Sequence, residues 1–87
     1  MKGFECHITT QVRYADRVNA ILPPGWKTSE IKRDPLLGDA SYFYLTTHGQ
    51  SWELIYHGMV HLRERLRLND IPVLREKIEL IIHDVRF

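Results

Sequence analysis

The residues best suited to chemistry in this sequence are His7, with Glu5 two positions before it and Thr9 two positions after it, and Lys77 with Glu79 near the other end of the chain. Positions i−2, i and i+2 of an extended strand point the same way, so Glu5, His7 and Thr9 share one surface if this segment is a strand. A carboxylate beside an imidazole orients the ring and favours its charged form, which suits His7 to work as a general acid or base. Lys77 beside Glu79 offers a cation for an anionic group, but a cross-strand ion pair with Glu5 is the commoner use of such a lysine. Cys6 is adjacent to His7 but alternates to the opposite face, which argues against a Cys–His nucleophilic pair and for a small core residue.

Other ionisable residues point to less. His57 and His61 are four apart, a helical spacing that can set two imidazoles on one metal, with Glu53 a turn away. The stretch His57-Gly58-Met59-Val60-His61 lacks the glutamate of a metalloprotease helix and no third ligand presents itself. The reading therefore assigns no metal ligands and no cofactor. Arg63, Arg65 and Arg67, with Glu64 among them, fit a charged helix end better than a binding cluster.

The elements that must position these residues follow from periodicity. Phe4, Cys6 and Ile8 alternate with Glu5, His7 and Thr9, which predicts a strand over residues 2–12. Ala15, Val18, Ile21 and Leu22 recur at helical spacing, so a short helix is expected over 14–22, stopped by Pro23-Pro24-Gly25. A second strand is expected over 26–32 and a turn-rich loop over 34–39, with Leu36 and Leu37 either folding back on the core or forming a contact patch. Tyr42 and Tyr44 alternate with Phe43 and Leu45 in a third strand over 41–47. Ser51 is a good N-cap for a long helix whose stripe runs through Trp52, Ile55, Met59, Leu62 and Leu66 to Asn69-Asp70 and Pro72. A fourth strand is expected within 73–87, with Ile78, Leu80 and Ile82 on its apolar side.

The order β-α-β-β-α-β with right-handed crossovers gives an α+β, ferredoxin-like sandwich: one antiparallel sheet of order 4-1-3-2 with both helices on one face, in a single domain spanning 1–87. Everything interleaved with the apolar set then lies on the open face. Glu5, His7, Thr9, Tyr42, Tyr44, Thr46, Lys77 and Glu79 gather there, with His48, Ile81 and His83 at the margins. An ordinary solvated sheet face would also be polar, so the content of the patch, rather than its polarity, is what points to a site.

Composition bounds the function classes. The chain has 87 residues, 12 Lys+Arg against 11 Asp+Glu and a formal charge of +1, which leaves room for one core and gives no field strong enough to drive binding to nucleic acid or acidic lipid. The carboxylates of Glu5 and Glu79 on the sheet face would also repel phosphate, so nucleic acid is an unfavoured partner despite the exposed tyrosines. One Cys forms no internal disulfide and supplies no Cys-rich zinc site. No apolar segment approaches a bilayer span and the first residues lack an apolar leader core, so no membrane partner and a cytoplasmic location are expected.

Two resemblances bear on function. Cys6-His7-Ile8-Thr9 resembles the His-x-Thr strand motif of the 2H phosphoesterases, in which two such motifs from two related lobes act together. That resemblance implies His7 as acid-base residue and Thr9 as a phosphate donor, in a chain one lobe long and without a second motif. The whole chain also resembles small uncharacterised bacterial and phage proteins that open on a strand like Phe4-Glu5-Cys6-His7-Ile8-Thr9 and close on one like Arg75-Glu76-Lys77-Ile78-Glu79, which implies a family but no reaction. The expectation is a binding or assembly module whose open face, with Glu5, Tyr42, Tyr44, Lys77 and Glu79 around His7, holds a small polar ligand or a second subunit as a homodimer. The alternative is a small-molecule or phosphodiester hydrolase using His7.

Overall fold

A computed structural model describes residues 2–31 and 41–82. The loop expected over 34–39 with Leu36 and Leu37, the end of the second strand at Lys32, and the chain beyond Ile82 with His83 lie outside the described residues.

The elements run β1 (Lys2–Gln11), a 3-10 turn (Val12–Tyr14), α1 (Ala15–Ile21), β2 (Lys27–Ile31), β3 (Tyr42–Gly49), α2 (Trp52–Leu68) and β4 (Arg75–Ile82). The four strands form one antiparallel sheet in the order β2-β3-β1-β4, the ferredoxin-like arrangement. Alternation decides which residues meet the helices. Cys6 and Ile8 of β1 and Phe43 and Leu45 of β3 form the core with Val18 of α1 and Ile55, Met59, Leu62 and Leu66 of α2. Fully burying an aliphatic or aromatic side chain of this size is worth about 1.5–3 kcal/mol, so this one layer holds the sheet to the helices. Arg65 Nη1 donates to the Ile21 carbonyl at 2.9 Å and Arg17 donates to the Asn69 carbonyl, tying the short α1 to the end of α2.

Local signals fix the element ends. Gly25 adopts φ 90°, a conformation that favours glycine, and its carbonyl accepts from Thr47 Oγ1 at 2.7 Å, which seats the α1–β2 turn against β3. Ser51 Oγ accepts from the Leu54 backbone N–H at 3.3 Å and caps α2 as its position predicts. At the other end Asp70 takes φ 56°, while the N–H groups of Asp70 and Ile71 donate to the Arg67 and Leu66 carbonyls. This is a Schellman closure, and its usual apolar contact is supplied by Ile71, 2% exposed, and Leu66, fully buried.

Two packing expectations change, and one inner-face position carries a charge. Leu80 is on the helix side of β4 but 53% exposed, because β4 is an edge strand with β1 on one side only. Trp52 is 49% exposed at the first turn of α2 and stacks on Tyr56 with its edge toward Phe4, instead of joining the central stripe. Glu76 occupies an inner-face position opposite Ile8, where its Oε1 accepts from Arg63 Nη1 at 2.5 Å and its Oε2 is buried without a hydrogen-bond partner. No helix among the described residues is long and apolar enough to cross a membrane.

Candidate functional site on the open sheet face

The strand register brings distant parts of the sequence into three cross-strand rows on the open face. His7 stands between Thr46 of β3 and Lys77 of β4; Glu5 stands between His48 and Glu79; Thr9 stands between Tyr44 and Arg75. Tyr42 follows opposite Gln11 at the end of β1. The expected gathering of Glu5, His7, Tyr42, Tyr44, Thr46, Lys77 and Glu79 is therefore present.

The rows are not equivalent. His7 is the hub. Its Nδ1 lies 3.0 Å from Thr46 Oγ1 and its Nε2 lies 2.8 Å from Glu5 Oε1 and 3.4 Å from Glu79 Oε1. Glu79 Oε1 also receives Lys77 Nζ at 3.3 Å, so Lys77 pairs along its own strand with Glu79 rather than across the sheet with Glu5. The His7 side chain is 25% exposed, Glu5 31%, Glu79 44% and Lys77 42%, so the network is open to a ligand from solvent. Thr9 differs. At 4% exposed it is closed in, and a ligand reaching its hydroxyl would have to displace a neighbour.

Glu5 and Glu79 are direct cross-strand partners, an opposition of like charges that destabilises a sheet. His7 Nε2 sits beside both carboxylates, and Glu5 Oε1, His7 Nε2 and Glu79 Oε1 lie within 4.8 Å of one another. Three donor atoms of this kind can hold a cation or a ligand rich in hydrogen-bond donors. Thr46 completes the arrangement: its hydroxyl both donates and accepts, so it holds Nδ1 in either neutral tautomer of the ring.

Sequence reasoning placed Thr46 on the face but did not single it out, because its role depends on the register that sets it opposite His7. Arg75, opposite Thr9, escaped it for the same reason. The remaining candidates lie elsewhere. Cys6 is fully buried under the sheet, where burial first and the Glu76 carboxylate second push its thiol up to about 12, so it is no nucleophile for the opposite face. His57 and His61 are on exposed positions of α2, remote in the fold from the sheet face. A surface cleft of about 320 Å³ lined by Gln11, Val12, Arg13, Ser41 and Tyr42 lies at the far end of β1. No family model, no curated protein and no solved structure matches the chain, so the functional reading is carried by the chemistry of this face.

Proposed function

We propose that the protein is a small binding module whose open sheet face takes a small cationic ligand at His7, between Glu5 and Glu79. The observation that carries this reading is the direct pairing of Glu5 with Glu79 beside the ring of His7. Opposed carboxylates on a sheet cost stability; His7 Nε2 beside both and Lys77 Nζ beside Glu79 offset part of that cost, and a local conflict of this kind tends to sit at a functional site. A bound cation relieves it. The same charges disfavour two other occupants. A second copy of the chain docked face to face about a two-fold axis through His7 would add the partner's two carboxylates to these, and a nucleic-acid backbone would meet them with phosphate. The reading assumes a cytoplasmic protein.

Thermal melting of the full chain with zinc chloride, manganese chloride, spermidine and agmatine tests this. A ligand at a hundredfold excess over its Kd adds about 2.7 kcal/mol to the folded state. At least one of these cations is expected to raise the melting temperature of the wild type, and none that of the Glu5→Gln/Glu79→Gln variant. A wild type unmoved by all of them would overturn the proposal.

The Glu5–His7 contact of 2.8 Å favours a second reading, a small-molecule or phosphodiester hydrolase with His7 as acid-base residue. Its Nε2 would exchange Glu5 for substrate, while Thr46 keeps the ring in place. Turnover of p-nitrophenyl acetate, a neutral substrate that Glu5 and Glu79 do not repel, or of bis(p-nitrophenyl) phosphate supports it if it disappears in His7→Ala, and turnover that survives the substitution, or none of either substrate, removes His7 from the role.

A further inference from the structure

We propose that Glu5 Oε1, His7 Nε2 and Glu79 Oε1 form a site for a divalent transition-metal ion of the zinc class, with Thr46 orienting the imidazole from behind. This inference rests on the cation-binding reading above and gives the cation a chemical identity.

The donor set is the first line. One imidazole nitrogen and two carboxylate oxygens suit zinc and its first-row neighbours, whereas calcium and magnesium favour oxygen alone. Three protein ligands leave a fourth position for water, the pattern of an open zinc site. Two negative carboxylates neutralise a doubly charged ion, so metal binding converts the strained Glu5–Glu79 opposition into charge balance.

Distance is the second line. Ligand atoms about 2.05 Å from a tetrahedral ion are about 3.3 Å from each other. His7 Nε2 to Glu79 Oε1 is 3.4 Å, already such an edge, and His7 Nε2 to Glu5 Oε1 is 2.8 Å, a hydrogen bond that opens by roughly 0.5 Å to become one. The third edge, Glu5 Oε1 to Glu79 Oε1, is within 4.8 Å, and both side chains are partly exposed, so rotation of the carboxylates can bring the three atoms to one ion.

The ring provides the third line. An imidazole that ligates through Nε2 carries its proton on Nδ1 and is usually held there by an oxygen acceptor. Thr46 Oγ1, 3.0 Å from Nδ1, is in that place. A metal at Nε2 takes the place of any proton there, and Nδ1–H then donates to the threonine hydroxyl, which serves as donor or acceptor as the ring requires. The bond to Thr46 survives the exchange. Lys77 acts in the opposite sense, since its ammonium sits 3.3 Å from Glu79 Oε1 and competes with the metal for that oxygen.

The test is calorimetric titration of the full chain with zinc chloride. Any histidine can take zinc, so the reference protein carries Ala at His48, His57, His61 and His83, leaving His7 as the single histidine of the five in the chain. That protein is expected to bind one zinc. Glu5→Gln/Glu79→Gln on the same background is expected to abolish binding, Thr46→Val to weaken it about tenfold, and Lys77→Ala to tighten it severalfold. Magnesium chloride is expected to give no binding heat. Zinc binding lost from the single-histidine protein while its amide spectrum stays folded, retained in the double-Gln variant, or matched by magnesium would each overturn the inference. If zinc fails but spermidine or agmatine still raises the wild-type melting temperature, the metal assignment falls and the cation-binding reading stands; if all fail, both fall.

Discussion

The opposition of Glu5 and Glu79 predicts a measurable coupling between them. Their oxygens and His7 Nε2 lie within 4.8 Å of one another. At 4.8 Å, the longest separation this allows, two like charges repel by about 0.9 kcal/mol in water, and a Debye length of about 8 Å at physiological salt reduces this to roughly 0.5 kcal/mol, so these are lower bounds. Their partial burial raises the effective interaction again, so about 0.5–1 kcal/mol is expected, within the range for directly opposed side chains on a sheet. Single substitutions do not isolate this term, because Glu79→Gln also weakens the Lys77 pair and Glu5→Gln changes the acceptor offered to His7. A double-mutant cycle does. Glu5→Gln, Glu79→Gln and the double variant would be unfolded in urea at pH 8, above the ordinary carboxylate range. The double variant should fall short of the summed gains of the two singles by about 0.5–1 kcal/mol at physiological salt, and by less at high salt, where screening is stronger. Equal slopes with urea across the four proteins keep the comparison in the native state. A coupling of zero, or one of opposite sign, would refute the claim that the face stores repulsion for a ligand to relieve.

Three further outcomes test other parts of the account. Cys6 is held at about 12 in the folded chain against 9.0 for an ordinary thiol, so its contribution is complete below pH 9 and is lost as pH rises toward 12, where the unfolded thiol ionises first; the stability gap between wild type and Cys6→Ala should narrow by about 1 kcal/mol between pH 8 and pH 10, and a constant gap would contradict the burial assigned to the thiol. Arg63→Ala leaves Glu76 without its cationic partner and should cost about 1–2 kcal/mol in urea unfolding, while Arg63→Leu/Glu76→Leu recovers most of the loss; an Arg63→Ala protein as stable as wild type would show that the inner-face pair contributes nothing. Light scattering of the metal-free protein should give a monomer for wild type and for Tyr44→Arg alike, whereas a wild-type dimer split by the substitution would transfer the open face to self-association.

Much of the architecture is legible in the sequence because period-2 alternation is strong where one face is apolar. Phe4, Cys6 and Ile8, and Phe43 and Leu45, give the inner face of β1 and β3 and thereby place Glu5, His7, Tyr44 and Thr46 on the other. β4 is harder to read. Arg75 to Ile82 mixes charge on both faces, since Glu76 turns inward to meet Arg63, and edge position leaves Leu80 exposed whatever its hydropathy. Helix stripes are also ambiguous at their ends: Trp52 continues the spacing of Ile55 and Met59 but sits in the first turn, where the sheet beneath offers Phe4 at its margin. Ile71 lies in no periodic segment, and it becomes core only through the Schellman closure that Asp70 permits. For the site, residue identity was readable and pairing was not. Alternation puts Glu5, His7 and Glu79 on one face, but only the register that sets Glu5 against Glu79 and His7 against Thr46 turns a polar patch into a convergent set of donors.

The most direct test of the central claim is a map of where a cation binds. Amide and histidine-ring spectra of the ¹⁵N-labelled full chain, recorded as zinc chloride is added, should shift first at Glu5, His7, Thr46 and Glu79, with the His7 ring nitrogens moving together and the Glu5→Gln/Glu79→Gln variant silent at these positions. Shifts confined to His57 and His61 on α2, with the sheet face unchanged, would contradict it.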